Sequence, residues 1–316
     1  MMTTASFPQP RRLAAGTGSA GFLLFWMMMS ALLVSACDPY KQDSFQEQMV
    51  VEAFLTAGEP LPEIRLSRTL PFDEFYSFEA AALSGLDLRV LLTDDAGAVT
   101  QTFTYAESDQ RGIYLPEDDT ALVQPGRVYR LEVSENPDDA PKLRARTFVP
   151  GGFELVSDNG DTFVYQGPVQ YEPTFTISVY PGRQNYYIAS TLALQPDPEL
   201  LTPFYAGFFE EENPDQFLRV SSPIINEGNY EINDDNTITL TLPWISIAYF
   251  GPNEVAFYAL DTNLYDYVRT LSLQGGGPNQ SPGQIDNILW NVEGGIGIFG
   301  SRTGISSVIT VVPFGG

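Results

Sequence analysis

The chain has 316 residues, 43% of them hydrophobic, which is enough to bury a core and too many for a disordered segment. It carries 40 acidic against 16 basic residues, a formal charge of −24, and such a surface repels phosphate backbones, so nucleic acid is not expected as a partner. It has no histidine and one cysteine, which removes Ser-His-Asp, Cys-His and most zinc-hydrolase schemes as well as any disulfide within the chain.

Arg11 and Arg12 precede an apolar run from Gly21 to Val34. A basic start, a short apolar segment and small residues before a cut site mark a secretory signal peptide. The run is shorter than the ~20 apolar residues that span a membrane. Leu33-Val34-Ser35-Ala36-Cys37 resembles a bacterial lipoprotein box, in which Cys37 is acylated and becomes the mature N-terminus. The alternative for Cys37 is a buried free thiol, packed as a small hydrophobe. Such a thiol has no reason to follow a signal-like segment directly. Two or three acyl chains, at ~0.8 kcal/mol per buried CH₂, anchor a protein stably. Residues 1–36 are therefore expected to be a signal peptide and 37–48 a short polar tether. The partner implied is a membrane of the cell envelope, reached through lipid on Cys37, at its periplasmic face or on the cell surface.

From Met49 the pattern is that of strands. Met49 to Leu55 is apolar and partly alternating, and Ile64-Arg65-Leu66-Ser67 alternates cleanly. Leu86 to Thr93 is a strand stopped by Asp94-Asp95-Ala96-Gly97, and Val99 to Tyr105 is its hairpin partner. Gly112 to Leu115, Arg127 to Val133 and Leu143 to Val149 complete the set before Pro150-Gly151-Gly152. Short strands at this spacing predict an antiparallel, immunoglobulin-like β-sandwich over 49–150. Phe72 to Leu83 breaks the pattern: either a short helix caps one end, or Phe72, Phe75 and Tyr76 stand on an exposed aromatic contact loop.

A second β-rich domain is expected over 151–316. Phe153 to Ser157, Thr162 to Tyr165, Thr174 to Tyr180 and Tyr186 to Leu194 read as strands, with Phe175, Ile177 and Val179 on one face. Gln195 to Asn213 is too rich in proline for a long helix and reads as an excursion carrying Phe204, Tyr205, Phe208 and Phe209. Thr237 to Leu242 and Glu254 to Leu260 are further strands. Asp261 to Gln274 changes period: Leu264, Tyr267, Val268 and Leu271 form a helical stripe. Asp261, Thr262 and Asn263 are all suited to cap it, and Gly275-Gly276-Gly277-Pro278 stops it. In the tail, the glycines of Asn291–Gly300 admit positive-φ turns or a close backbone approach, and Val308 to Val312 is β-like. The glycine spacing does not fit a nucleotide-binding loop.

Three blocks together resemble a family of outer-membrane lipoproteins of Bacteroidota classed as a domain of unknown function. They are Val50–Phe54 followed by Ile64–Pro71, then Leu264–Arg269, then Asn291–Gly300. The resemblance implies a non-enzymatic accessory role beside a TonB-dependent receptor, and it supplies no catalytic residues. The other readings are a carbohydrate-binding or degrading lipoprotein and a purely structural envelope protein.

The carboxylate pairs Asp94-Asp95, Asp118-Asp119, Asp138-Asp139 and Asp234-Asp235 sit in turn-like contexts, as does Glu210-Glu211-Glu212. Aspartate is a good turn residue, so solvated turns are favoured over calcium ligands or paired catalytic acids. No metal site or cofactor is specified. The residues expected to meet a partner are Phe72, Phe75, Tyr76, Phe204, Tyr205 and Phe208.

Overall fold

The alternation of Met49–Thr56 and Ile64–Arg68 becomes strands β1 and β2, paired antiparallel with Val51 opposite Leu66 and both side chains buried. The computed structural model describes residues 45–209, 213, 215–274 and 288–315. The chain divides into two compact units, Met1–Gln46 and Glu47–Gly316, and the fold is that of the second. The lipoprotein box Leu33, Val34, Ser35, Ala36 and the lipidation site Cys37 lie outside the described residues, as do Glu210-Glu211-Glu212.

The protein is mainly β. After β2 come β3 (Asp87–Thr93), β4 (Val99–Glu107), β5 (Ile113–Pro116), β6 (Val128–Ser134) and β7 (Leu143–Phe148). β3 and β4 form the expected hairpin, Val90 opposite Phe103, and Gly97 takes the positive φ its turn requires. The hydrogen-bonded order runs β1-β2-β5-β4-β3-β6-β7 and ends on β16 (Val292–Glu293). The next strand, β17 (Gly295–Val312), pairs parallel with β1 at the other end of the path. This stretch of the sheet thus curls until β16 and the first part of β17 lie side by side. That is why Val51 of β1, Leu131 of β6, Leu143 of β7, Val292 of β16 and Phe299 of β17 share one core. This is a sandwich as expected, but its sheet is mixed rather than wholly antiparallel, because β17 joins β1 in parallel, and two of its strands come from beyond residue 150.

A second core lies under β8 (Leu155–Ser157), β10 (Thr174–Thr176) and β14 (Thr237–Thr239), a small sheet laid over β11 (Tyr186–Ala193), β15 (Gly251–Leu260) and the far half of β17. Its centre is Phe175, fully buried, with ring centroids of Phe153, Tyr187 and Phe257 at 5.4, 5.6 and 5.5 Å. Offset and edge contacts of this kind suit the ring quadrupoles. Pro150-Gly151-Gly152 falls between Val149, last of the first core in that stretch, and Phe153, first of the second. The tail then returns to both cores, through Phe299 and through Ile309 and Val311.

Several local expectations differ from the structure, and the strand expected over Thr237–Leu242 ends at Thr239. The strand at Thr174 ends at Thr176, because Ile177 turns to bond Asn236 O and Ser178 Oγ donates to Gly151 O; Ser178 is therefore buried and Val179 exposed. The short helices are α1 (Phe78–Ala81) and α2 (Pro203–Ala206), and the expected long one is α3 (Thr262–Gln274). On α3 Leu264 is buried, but Thr270 is buried where Leu271 was expected, and Leu271 is exposed. Thr270 Oγ1 bonds back to Asp266 O at 2.8 Å, so its hydroxyl is satisfied inside.

Candidate functional site

The excursion after β11 is pinned before it presents its aromatics. Asp197 caps a single turn, Pro198–Leu200, through Glu199 N. Thr202, fully buried, donates its backbone N–H to Ala248 O at 2.8 Å and its hydroxyl to Ile247 O at 3.1 Å. Pro203 then opens α2 at the first helical position, where its missing N–H costs nothing.

This one turn sorts the three expected contact residues. Tyr205 points inward: its ring meets Phe217 at 4.9 Å and its hydroxyl donates to Ile245 O at 2.7 Å. Burial raises its pKa. Phe204 packs edge-on against Tyr205 at 5.1 Å and Trp244 at 6.1 Å, and remains 37% exposed. Phe208 leans on Phe204 at 5.6 Å and is 62% exposed. The result is an aromatic platform with a held base and two outward rings. Beside it lies a cavity of about 500 Å³ whose walls include Tyr205, Ile225, Tyr230, Leu242, Ile245 and Phe257, with Ser222, Asn226 and Asn229 as polar groups.

The other expected contact loop is separate. Phe72, Phe75 and Tyr76 are 91%, 100% and 68% exposed. The helix expected there as a cap is only α1, started by Ser77, whose hydroxyl accepts from Ala80 N. Phe78 is held under the Arg65 guanidinium at 4.4 Å. Among the described residues no ring contact or cavity joins this loop to the platform.

Phe217 and Trp244 belong to the platform but carry no periodic signal in the sequence. The sequence cue for Trp244 is Pro243, which stands at the start of a turn over Trp244–Ser246.

The carboxylate pairs are turn elements where described. Asp94 Oδ1 accepts from Ala98 N at 2.8 Å, and Asp235 Oδ1 accepts from Thr237 Oγ1 at 2.7 Å. Asp118 Oδ1 accepts from the hydroxyl and the N–H of Thr120, which holds its carboxyl below the ordinary range. Among the described residues no group of three or more Asp, Glu or Cys could hold a metal ion. Among the described residues two carboxylates are buried, and both are committed to the fold. Glu227 accepts from Asn185 Nδ2 at 2.6 Å and from Tyr187 OH at 3.2 Å, and Asp261 caps α3.

The fold and the platform together define a mainly β protein with an exposed aromatic platform. Among the described residues no helix is long and apolar enough to cross a membrane. The chain belongs to the family described as Domain of unknown function (DUF4249), whose model matches residues 37–304. No curated protein matches the sequence. Among solved structures, the chain is similar to Salmonella alpha-2-macroglobulin reacted with methylamine, at 10% identity and a TM-score of 0.23 over 84% of this chain and 15% of that one. Escherichia coli alpha-2-macroglobulin activated by porcine elastase gives 10%, 0.20, 84% and 20% for the same quantities. The FN1–FN3 domains of chicken CNTN1 give 11%, 0.20, 83% and 67%. This chain spans a small part of both macroglobulins, and likenesses of this size carry no argument about its activity.

Proposed function

We propose that this is a lipid-anchored cell-envelope protein that works without catalysis, by holding an outer-membrane TonB-dependent receptor. The observation that carries the reading is the outward pair Phe204 and Phe208 on a base fixed by the Tyr205–Ile245 bond. Aromatic residues on a rigid support are what the centres of protein interfaces use, because their large rings bury much area at little entropic cost. The family match, which begins at Cys37, supports the anchored reading. A purely structural envelope protein would keep these rings buried, and their exposure counts against it.

The test is a mild-detergent pull-down of the tagged full chain from its own outer membrane. A stoichiometric β-barrel receptor is expected. Phe204→Ser with Phe208→Ser should weaken its capture at least ~30-fold, the loss that a single interface aromatic worth ~2 kcal/mol already produces. Both side chains are half-exposed, so the melting temperature should hold. A partner-free protein, or capture unchanged in the double variant, defeats the proposal. The cavity with Tyr205, Tyr230, Asn226 and Asn229 gives the carbohydrate reading one specific support, since rings flanking amide groups suit sugars. Glycan binding by the full chain that is lost in Tyr230→Ala would favour it.

A further inference from the structure

The opposite face of the same sheet holds a second cavity, of about 490 Å³. Strand alternation decides what lines it. Tyr187, Ala189, Phe257 and Ala259 point into the second core, so Ile188 and Tyr258 point away from it, into the cavity. On β1, Ala53 and Leu55 face the first core and Phe54 faces out. α3 adds Leu264 along one side. These walls are apolar, and the size falls within the ~300–1,000 Å³ of small-molecule sites.

Two arginines distinguish this cavity. Arg302 stands opposite Leu260, and its guanidinium lies over the Tyr258 ring at 4.0 Å. Gly304, opposite Tyr258, makes this possible, since a Cβ there would meet ring carbons of Tyr258 at 2.6 Å. Arg219, on β12 (Arg219–Ser221), stands opposite Leu192 and reaches along the strand to donate to Ser190 Oγ at 3.0 Å. Ile188, the next residue on that face, is opposite Tyr258. The two cationic heads therefore approach the same patch, Ser190–Ile188–Tyr258, from opposite ends. A guanidinium carries five N–H donors. Among the described residues, Arg302 gives its Nε to Thr56 Oγ1 at 3.1 Å and Arg219 its Nη1 to Ser190. The ion pairs of the described residues are Arg65–Glu52, Arg68–Glu47, Arg89–Asp87, Lys142–Glu135 and Arg269–Asp266, so neither cavity arginine belongs to one. In a chain with 40 acidic residues against 16 basic, two guanidiniums at the rim of a cavity lined by apolar side chains and serines, with no carboxylate among its walls, are a selective feature.

We propose that this cavity binds a medium-chain aliphatic carboxylate, its head held by Arg219 and Arg302 and its chain laid along Phe54, Ile188 and Leu264. Guanidinium forks match carboxylates in geometry and are weakly hydrated, so they release water readily to such a head. The site is distinct from the aromatic platform: the two cavities share only Ser221 and Ser222 of the edge strand.

The test is calorimetric titration of the full chain, alone, with octanoate, octan-1-ol and octylammonium. Octanoate should bind saturably at one site, with the alcohol and the ammonium at least tenfold weaker. Arg219→Gln, at an exposed position, should weaken octanoate about tenfold and leave octanol unchanged. Val268→Trp, on the helix wall, should block octanoate and octanol alike. Octanol matching octanoate, Arg219→Gln without effect, or no octanoate heat at millimolar concentration would each overturn the proposal. None of these readouts depends on a receptor, so the result is independent of the pull-down.

Discussion

Asp261→Asn should stabilise the protein at pH 7.5 by up to about 3 kcal/mol and remove a pH dependence between about 4 and 6. Asp261 is 1% exposed, at the joint between β15 and α3. Its Oδ1 accepts from Leu264 N at 2.8 Å and its Oδ2 from Thr147 Oγ1 at 2.7 Å. Burial outweighs these hydrogen bonds and pushes the carboxyl up from 3.8 to about 6. The unfolded chain loses this proton near 3.8, whereas the folded chain holds it to about 6. Between those values the folded state binds more protons, so stability falls as pH rises through the window, and at neutral pH the fold carries a buried charge. Asparagine keeps the shape without that charge. Its oxygen can still accept from Leu264 N, and its amide can donate to Thr147 Oγ1. Thr147 would then donate to Ser301 Oγ, 2.7 Å away, while Ser301 keeps its bond to Phe148 O at 3.1 Å. The second amide hydrogen has no such partner, and the backbone N–H groups of Asn263 and Ser301 also favour the carboxylate, so the gain stays below the full value of the shift. Asp261→Ala, which removes the charge but also the cap, should be about 1–2 kcal/mol less stable than the asparagine variant. Urea unfolding at pH 4, 6 and 7.5 checks all three proteins. An asparagine variant less stable than the parent at pH 7.5 would show that the charge is favourable where it stands.

Gly297→Ala should cost about 3–5 kcal/mol or leave no folded protein, the range of strained backbone and forced separation of packed strands. Gly297 has φ +116°, where an L side chain is strained, and lies opposite Val51 in the parallel β1–β17 ladder. A Cβ there would overlap the Val51 carbonyl oxygen. Gly294 is held in the same way against Lys142 O, with φ +79°. These contacts bring β17 close to β1 and β16 close to β7, and β17 is the strand that serves both cores. Gly58→Ala is the control. It has φ +79° but open space around it, so only the backbone penalty of about 1 kcal/mol applies. Equal losses in the two variants would mean that β1 and β17 do not approach as closely as described.

Much of this architecture is written locally. Val128–Ser134 alternates in sequence and in burial, because the pleat sends successive side chains to opposite faces. Asp261 and the spacing of Leu264 and Val268 announce α3. Phe204, Tyr205 and Phe208 stand out by aromatic density next to proline. Phe217, Trp244, Arg219 and Arg302 do not, because each is meaningful only beside residues distant in the chain.

The tail shows where local reading ends. Asn291–Gly300 looks like a turn-rich stretch and Val308–Val312 like a strand, yet Gly295–Val312 is one strand of 18 residues. Glycine has no side chain to alternate, so it leaves no period to read, and its value lies in what it permits a neighbouring strand to do. Composition and period therefore determine the β class, the individual strands and the helix α3. Which strands pair, whether an aromatic ring ends inside or outside, and which arginines share a cavity are set by packing between distant segments, whose energies arise only when the sheet has folded over on itself.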